Sequence, residues 1–504
     1  MKKKLHILPL LFCCMATVIS CSKDDTQDGG GQDSLSVNVI RSEYYTPNRF
    51  LSNVMPDELF KSLSLPIPDF HPAVELVARQ KVLQRIPKMN DTFRREVGLD
   101  YIGDRLWIIE SHVFSYKSIA ADGTEITLSG RVSYPNNTVD NIDHEVSSMT
   151  LFSHASILTE YWEPYSSLSL VSTRTFQNSA VIEPDFQGLG IDAGNNIHPE
   201  AATNVLARQM ADCVVAALKV MSKNGVRLAD DGCSYNLGGS LSSKVALMFH
   251  KYYETEASPE FRKAVRLNSS FVGTGIEHHP TMMRNMINND NHTGSLADVT
   301  YQQIIPTLAA LSENQLEGYK LSDFLSDKVM TKTIVRGDNE ITLYDFFCEK
   351  DPYLEKTKTI KSQAILDLSN IDLMASDMLT PDNIPDPESP KNKALIRIIN
   401  RLGNYLDYSP SLPIYMCQNI NDEFFSEGHF RAIYDNLSDK GQNPNVHKGN
   451  IPTPYPVAAV GKAFEIMPVA HYYGYIMTLL EFASTEQPDD MFNDFNKQQE
   501  QPND

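Results

Sequence analysis

Tryptophan is almost missing from this chain, with only Trp107 and Trp162 in 504 residues. A surface that holds glycans by stacking sugars on exposed rings would want more of them, which counts against a purely glycan-binding protein. Basic charge is also short. Lys and Arg total 44 against 64 Asp and Glu, a formal net charge of −20 spread along the chain. That balance excludes nucleic acid and an electrostatic grip on anionic lipid, since both require basic patches. There is no Walker-type glycine loop and no convincing dinucleotide fingerprint, so no cofactor is expected. No period repeats along the chain, which removes propellers and solenoids. The apolar run Leu5–Ile19 is too short for a comfortable membrane-spanning helix. Setting aside Cys13, Cys14 and Cys21 leaves Cys213, Cys233, Cys348 and Cys417, widely spaced and without CxxC. Neither a zinc site nor a dense disulfide framework follows. Buried free thiols are expected, with a single Cys213–Cys233 bridge the alternative in an exported protein.

The N-terminus reads as a targeting segment. Lys2, Lys3 and Lys4 precede the apolar run, and Val18-Ile19-Ser20-Cys21 closes it. This resembles a bacterial lipobox, which implies a signal peptide at 1–20, acylation of Cys21 and attachment to a membrane through the lipid chains. The following Ser22-Lys23-Asp24-Asp25 resembles the acidic tag of surface-exported lipoproteins of the Bacteroidetes, implying the outer membrane. Residues 21–38 are polar and Gly-rich, a flexible tether.

Residues 39–106 mix short elements and read as an N-terminal appendage. The main domain begins at 107. A strand at 107–119, the turn signal Asp122-Gly123 and alternating apolar positions up to Tyr134 predict a hairpin with a type I′ turn. Strands then alternate with helices. Strands are predicted at 149–152, 180–182, 233–237, 263–271, 413–417 and 463–469. Helices are predicted at 200–223, with Val205, Met210, Val214, Leu218 and Met221 on its stripe, and at 241–254. Such alternation predicts a mostly parallel sheet flanked by helices, an α/β fold. It stops between 272 and 412, a largely helical segment read as a cap inserted over the carboxyl end of the sheet, where ligands of such folds sit. The core is thus 107–271 with 413–484, and 485–504 form a tail.

One constellation carries chemistry. Gly238-Gly239-Ser240-Leu241-Ser242-Ser243 lies between a predicted strand and a predicted helix. A nucleophilic serine on so tight a turn needs small residues two before and two after it. Gly238 meets the first condition, and Ser242 stands at the second, where glycine is usual. Hydrolysis also needs a base and a group that orients it, each after a later strand. Asp422 follows the strand at 413–417, with Glu423 as competitor. His471 follows the strand at 463–469. The oxyanion would be held by the backbone N–H of Leu241 at a helix N-terminus, and by that of Ala155, or else Ser156, after the strand at 149–152. His154 shapes that turn. Asp185 and Asp192 hold their own loop by hydrogen bonds. His278-His279 has no supporting carboxylate or Cys spacing and reads as a cap-loop pair rather than a metal site.

Ser153-His154, the run Glu183-Pro184-Asp185-Phe186-Gln187-Gly188-Leu189-Gly190, His198-Pro199 and Gly238-Gly239-Ser240 carry a resemblance. On them the chain resembles the α/β-hydrolase superfamily, and within it serine esterases similar to fungal secretory lipases and their bacterial relatives, over residues 107–483. Departures are Ser242 and Ser243 where the family has glycines, and Gln418-Asn419 where His-Gly is common. The resemblance implies an α/β-hydrolase fold, cleavage of carboxylic esters through Ser240, His471 and Asp422, and a small-molecule, lipid or glycan ester as substrate. The alternatives are a serine peptidase of the same superfamily and a non-catalytic surface lipoprotein on a degenerate hydrolase fold.

Overall fold

The computed structural model describes residues 37–45, 108–136, 144–153, 170–273, 276–288, 303–336, 339–348, 388–419 and 427–451. Among the described residues nine strands form one sheet in the order β1-β2-β3-β5-β4-β6-β7-β10-β11. These are β1 (Asn38–Tyr45), β2 (Ile108–Ile119), β3 (Glu125–Asn136), β4 (His144–Ser153), β5 (Ser179–Pro184), β6 (Val226–Gly239), β7 (Leu267–Gly273), β10 (Ile414–Asn419) and β11 (Val446–Ile451). β5, β4, β6, β7, β10 and β11 run parallel, while β1, β2 and β3 pair antiparallel at one side. A two-stranded ribbon, β8 (Thr333–Arg336) with β9 (Asn339–Thr342), stands apart.

The predicted α/β layering is present, with local corrections. The β2–β3 hairpin closes through a three-residue connection rather than a two-residue type I′ turn. Ala120 N donates to Thr124 O (2.8 Å), and only Gly123 has a positive φ, +90°. Asp122 Oδ1 accepts from Thr124 N at 2.9 Å, which favours the longer loop. Of the strand predicted at 263–271, residues 267–271 lie in β7, while 263–265 are instead the end of a short helix, Pro259–Val265. Ser258 caps that helix by accepting from Phe261 N (3.1 Å), Pro259 opens it, and Arg266 ends it in the left-handed region. β11 had no sequence signal: VHKGNI has little apolar alternation, and the strand exists by pairing with β10. The strand predicted at 463–469 lies outside the described residues.

Two helices position the site. α1 (Thr203–Lys223) buries Leu206, Met210, Val214, Ala217 and Met221 in the main core, a stripe at three- to four-residue steps. Val205 and Leu218, expected on the buried stripe, are half-buried at its margins. α2 (Ser243–Thr255) is buried along its whole first half, from Ser243 to His250. All four cysteines described are free thiols, as expected; Cys213, Cys348 and Cys417 are buried, and Cys233 is half-buried.

Residues between β7 and β10, which are sheet neighbours, build a separate apolar cluster including Ile304, Leu308, Phe324, Leu395 and Ile399. Ala121, Ala201 and Ala202 of the core join that cluster. All three lie beyond the carboxyl end of β5.

Asp212 on α1 gives a pH test of the packing between α1 and the hairpin. Ser118 Oγ donates to its carboxylate at 2.7 Å, yet burial raises its pKa from 3.8 to about 6. A carboxyl raised in the folded state stabilises fully below its unfolded pKa, and that contribution is lost as pH rises through about 6. Asp212→Asn is therefore expected to stabilise the fold by about 1–2 kcal/mol at pH 8 and to keep only about a third of that gain at pH 4.5, which still lies above the unfolded pKa. Urea unfolding at the two pH values checks this; an equal gain at both would contradict it.

Candidate active site

β6 lies in the middle of the parallel strands, and its last residues set the site. Gly239 is extended, and Ser240 then turns to φ +54°, followed by a short 3₁₀ turn (Ser240–Ser242) and α2. A left-handed φ on a non-glycine residue is strained by about 1–3 kcal/mol and persists only where the surroundings enforce it. The enforcement is visible. A Cβ on Gly238 would lie 2.5 Å from Ser242 O and 2.7 Å from Ala246 Cβ, so strand and helix meet here with no room for a side chain. Ser240 itself is 6% exposed at the carboxyl end of the strand.

The serines that replace the usual glycines are accommodated by folding back on the backbone. Ser242 Oγ donates to Gly239 O (2.8 Å) and accepts from Gly239 N (3.1 Å). Ser243 Oγ donates to Gly273 O (2.9 Å) and Gly238 O (3.3 Å), tying the turn to the end of β7. Both are buried, so hydroxyl bonds and short side chains do here what absent side chains do elsewhere.

Leu241 is the second residue of the 3₁₀ turn, so its amide belongs to the group of N-terminal amides that a helix leaves without intrahelical acceptors. Ser153, the last residue of β4, pairs in register with Gly238, so the chain leaves β4 directly beside the serine turn. Ala155, Ser156 and His154 follow there but lie outside the described residues. Asp422 and Glu423, three and four residues past the end of β10, and His471 also lie outside them. Among the described residues, then, stand Ser240 and the Leu241 backbone.

The Pro184–Gly190 loop is held as predicted, and more widely. Asp192 accepts from Gly188 N (2.7 Å) and Asn196 Nδ2 (2.8 Å). Asp185 instead reaches back to β3, accepting from Ser129 Oγ. Gly190, at φ +58°, leaves no room for a side chain: a Cβ would sit 2.4 Å from Asp185 Oδ2. His198 Nδ1 donates to Gln187 O at 2.7 Å, which turns Nε2 towards Glu200 (3.1 Å).

Glu200 leads into a buried ionic cluster that the sequence reading missed. Lys244, one helical turn past Ser240 and 1% exposed, donates to Glu277 Oε2 (2.9 Å), Gln303 Oε1 (3.1 Å) and Glu200 Oε1 (3.3 Å). Gln303 Nε2 donates to Glu277 Oε1 (3.1 Å), and His279 Nε2 donates to Gln303 Oε1. Burial raises Glu277 despite the Lys244 cation. Burial, then Lys244, drives His279 well below its ordinary pKa, so its imidazole is neutral. His278 is pulled to about 3 by burial and bonds Thr281 and Asn404. The faint signals were a lysine on an otherwise apolar helix stripe and the Glu277-His278-His279 run. Among the described residues no group of three or more His, Cys, Asp or Glu is placed to hold a metal ion.

No protein-family model matches the sequence, and no curated protein matches it. Solved structures do. The chain is similar to the rice cell wall degrading esterase LipA from Xanthomonas oryzae, with a TM-score of 0.53 at 15% identity over 80% of this chain and 95% of that one. A ligand-bound form of that esterase gives 0.52 at 14% identity, over 88% and 97%. Candida antarctica lipase A stands further off, at 0.46 and 13% over 68% and 72%, too remote to carry an argument. At these identities the likeness is one of fold. The chain has the α/β-hydrolase fold, a mostly parallel central sheet flanked by helices.

Proposed function

We propose that the protein is a serine hydrolase that cleaves carboxylic esters. The observation that carries the reading is Ser240: a non-glycine residue at φ +54° on a strand-to-helix turn, at the carboxyl end of a central parallel strand. Strain of this kind concentrates at functional sites, because holding a side chain out at the tip of a tight turn is what requires it. Ser240 Oγ attacks the acyl carbon and His471 takes its proton. Asp422 orients the imidazole, and the amides of Leu241 and Ala155 hold the oxyanion. His471 then protonates the departing alkoxide, releasing the alcohol and leaving Ser240 acylated. Water attacks the acyl-enzyme, gives its proton to His471, and the acid leaves as the proton returns to Ser240 Oγ. The segment 272–412 is assigned to the substrate wall, a reading supported by its apolar cluster, which takes in Ala201 and Ala202 from the chain that follows β5. The similar Xanthomonas esterase degrades rice cell wall; acyl esters on glycans are accordingly candidate substrates beside short acyl esters and lipids. Acylation of Cys21 would hold the enzyme to the outer membrane; among the described residues no helix is long and apolar enough to cross one.

A fluorophosphonate reagent tests the assignment. The mature chain is expected to be labelled, with the label lost in Ser240→Ala and much weakened in His471→Ala. A folded native protein that takes no label would overturn the reading.

A further inference from the structure

The buried ionic cluster joins two bodies that are otherwise separately packed. The apolar side chains of α2, among them Val245, Leu247 and Phe249, belong to the main core. Ile304 and Leu308, beside Gln303, belong to the apolar cluster of the inserted segment, to which no α2 residue contributes. Lys244 spans the boundary. Its ammonium has three N–H donors, and the three acceptors come from three stretches of chain: Glu200 beyond β5, Glu277 beyond β7, and Gln303 in the helical stretch 303–309. Tyr405, just after the helix Pro390–Gly403, adds a fourth by donating to the Glu277 backbone carbonyl.

An ammonium at 1% exposure cannot exchange one acceptor for water without a large desolvation cost, so its three partners are held in one arrangement. The apolar contacts of the inserted segment are less particular, because sliding one apolar side chain over another costs little until packing is lost. The cluster therefore supplies direction where the packing supplies only adhesion. Lys244 lies four residues after Ser240, so whatever is fixed to Lys244 is fixed relative to the nucleophile. α2 itself is buried from Ser243 to His250 and is anchored in the main core whatever Lys244 bonds, whereas Glu277 and Gln303 belong to the inserted side.

We propose that Lys244 is a positioning residue which, through Glu277 and Gln303, sets the inserted segment in register over Ser240 and thereby determines which acyl groups fit the site. The substrate half of this statement rests on the esterase reading; the mechanical half does not.

The experiment compares the full mature chain with Lys244→Met and with Lys244→Met/Glu277→Gln, by hydrogen exchange and by hydrolysis of p-nitrophenyl esters of short and medium acyl length. In Lys244→Met two buried carboxylates, Glu200 and Glu277, lose their shared cation. Amide exchange is expected to rise about tenfold or more in 276–288 and 303–309, with α2 amides unchanged. KM for the medium-chain ester is expected to rise about tenfold, with kcat changing far less. The double variant removes one stranded carboxylate and is expected to regain much of the lost global stability while keeping the raised exchange and the raised KM, because the cation that fixes the register is still missing; recovery of both would overturn the proposal. Unchanged exchange in the inserted segment would overturn the proposal. So would a fall in kcat with KM unchanged, or a rise in exchange spread over the whole chain, α2 included. If Lys244→Met does not fold, the double variant against wild type carries the same comparison. A wild-type chain with no ester turnover would defeat the esterase reading alone, because exchange needs no turnover.

Discussion

Ser240→Gly is expected to yield a protein that is more stable than wild type and has lost ester hydrolysis. The φ of +54° at Ser240 is costly for any residue with a Cβ, and glycine takes it freely. Relief of about 1–3 kcal/mol of strain is partly offset by the extra entropy glycine loses on folding, about 0.5–1 kcal/mol, leaving a net gain of about 1 kcal/mol. Ser240→Ala keeps the Cβ and hence the strain, so its stability should stay near wild type. The pair thus separates strain from chemistry. Both remove the nucleophilic oxygen, and loss of a nucleophile that works as one unit with its base lowers kcat by about 10⁶-fold. Urea unfolding with esterase assays decides it. Retained hydrolysis in Ser240→Ala would sink the role of Ser240, and a Ser240→Gly protein less stable than Ser240→Ala would sink the account of the turn.

Gly238→Ala is expected to cost about 3 kcal/mol and at least about 100-fold in kcat, although Gly238 reacts with nothing. The added methyl would lie 2.5 Å from Ser242 O and 2.9 Å from Ser242 C, against backbone that cannot rotate away. Relief requires the start of α2 to withdraw from β6. That movement would break the Ser242 hydroxyl bonds to Gly239 and the Ser243 bond to Gly273 O. It would also carry the Leu241 amide away from its place beside Ser240. A comparison at Gly123 is instructive: its Cβ would meet nothing, so Gly123→Ala should cost only the strain of its positive φ and leave kcat untouched. Equal kcat for Gly238→Ala and wild type would show that the turn tolerates what its geometry forbids.

Much of this arrangement was legible before any coordinates. The Gly238-Gly239-Ser240 turn between a strand and a helix is a local feature, and its residues meet each other within a few positions of chain. The loop from Pro184 to Gly190 was read on the same footing, and Asp192 does hold it locally. Asp185 departs from that pattern because its partner, Ser129, comes from another strand. The strand predicted at 263–271 began too early, because residues 263–265 close the helix Pro259–Val265 that the Ser258 cap starts, and β7 begins only at Leu267. β11 was missed because a short strand with a glycine and a lysine is stabilised by its neighbour rather than by its own alternation.

By itself, then, the sequence determined the α/β layering and the place of Ser240 on a strand-to-helix turn. These rest on periodicity and on the steric needs of a few adjacent residues, which a linear string records. Only the tertiary structure decided that β1 and β11 extend the sheet, that Ser242 and Ser243 can replace glycines by bonding back to Gly239 and Gly273, and that Lys244 gathers Glu200, Glu277 and Gln303 around one buried charge. Each of those depends on which distant groups arrive within hydrogen-bonding distance once water is excluded, and the strength of a buried ionic contact is set by that arrival and not by spacing along the chain.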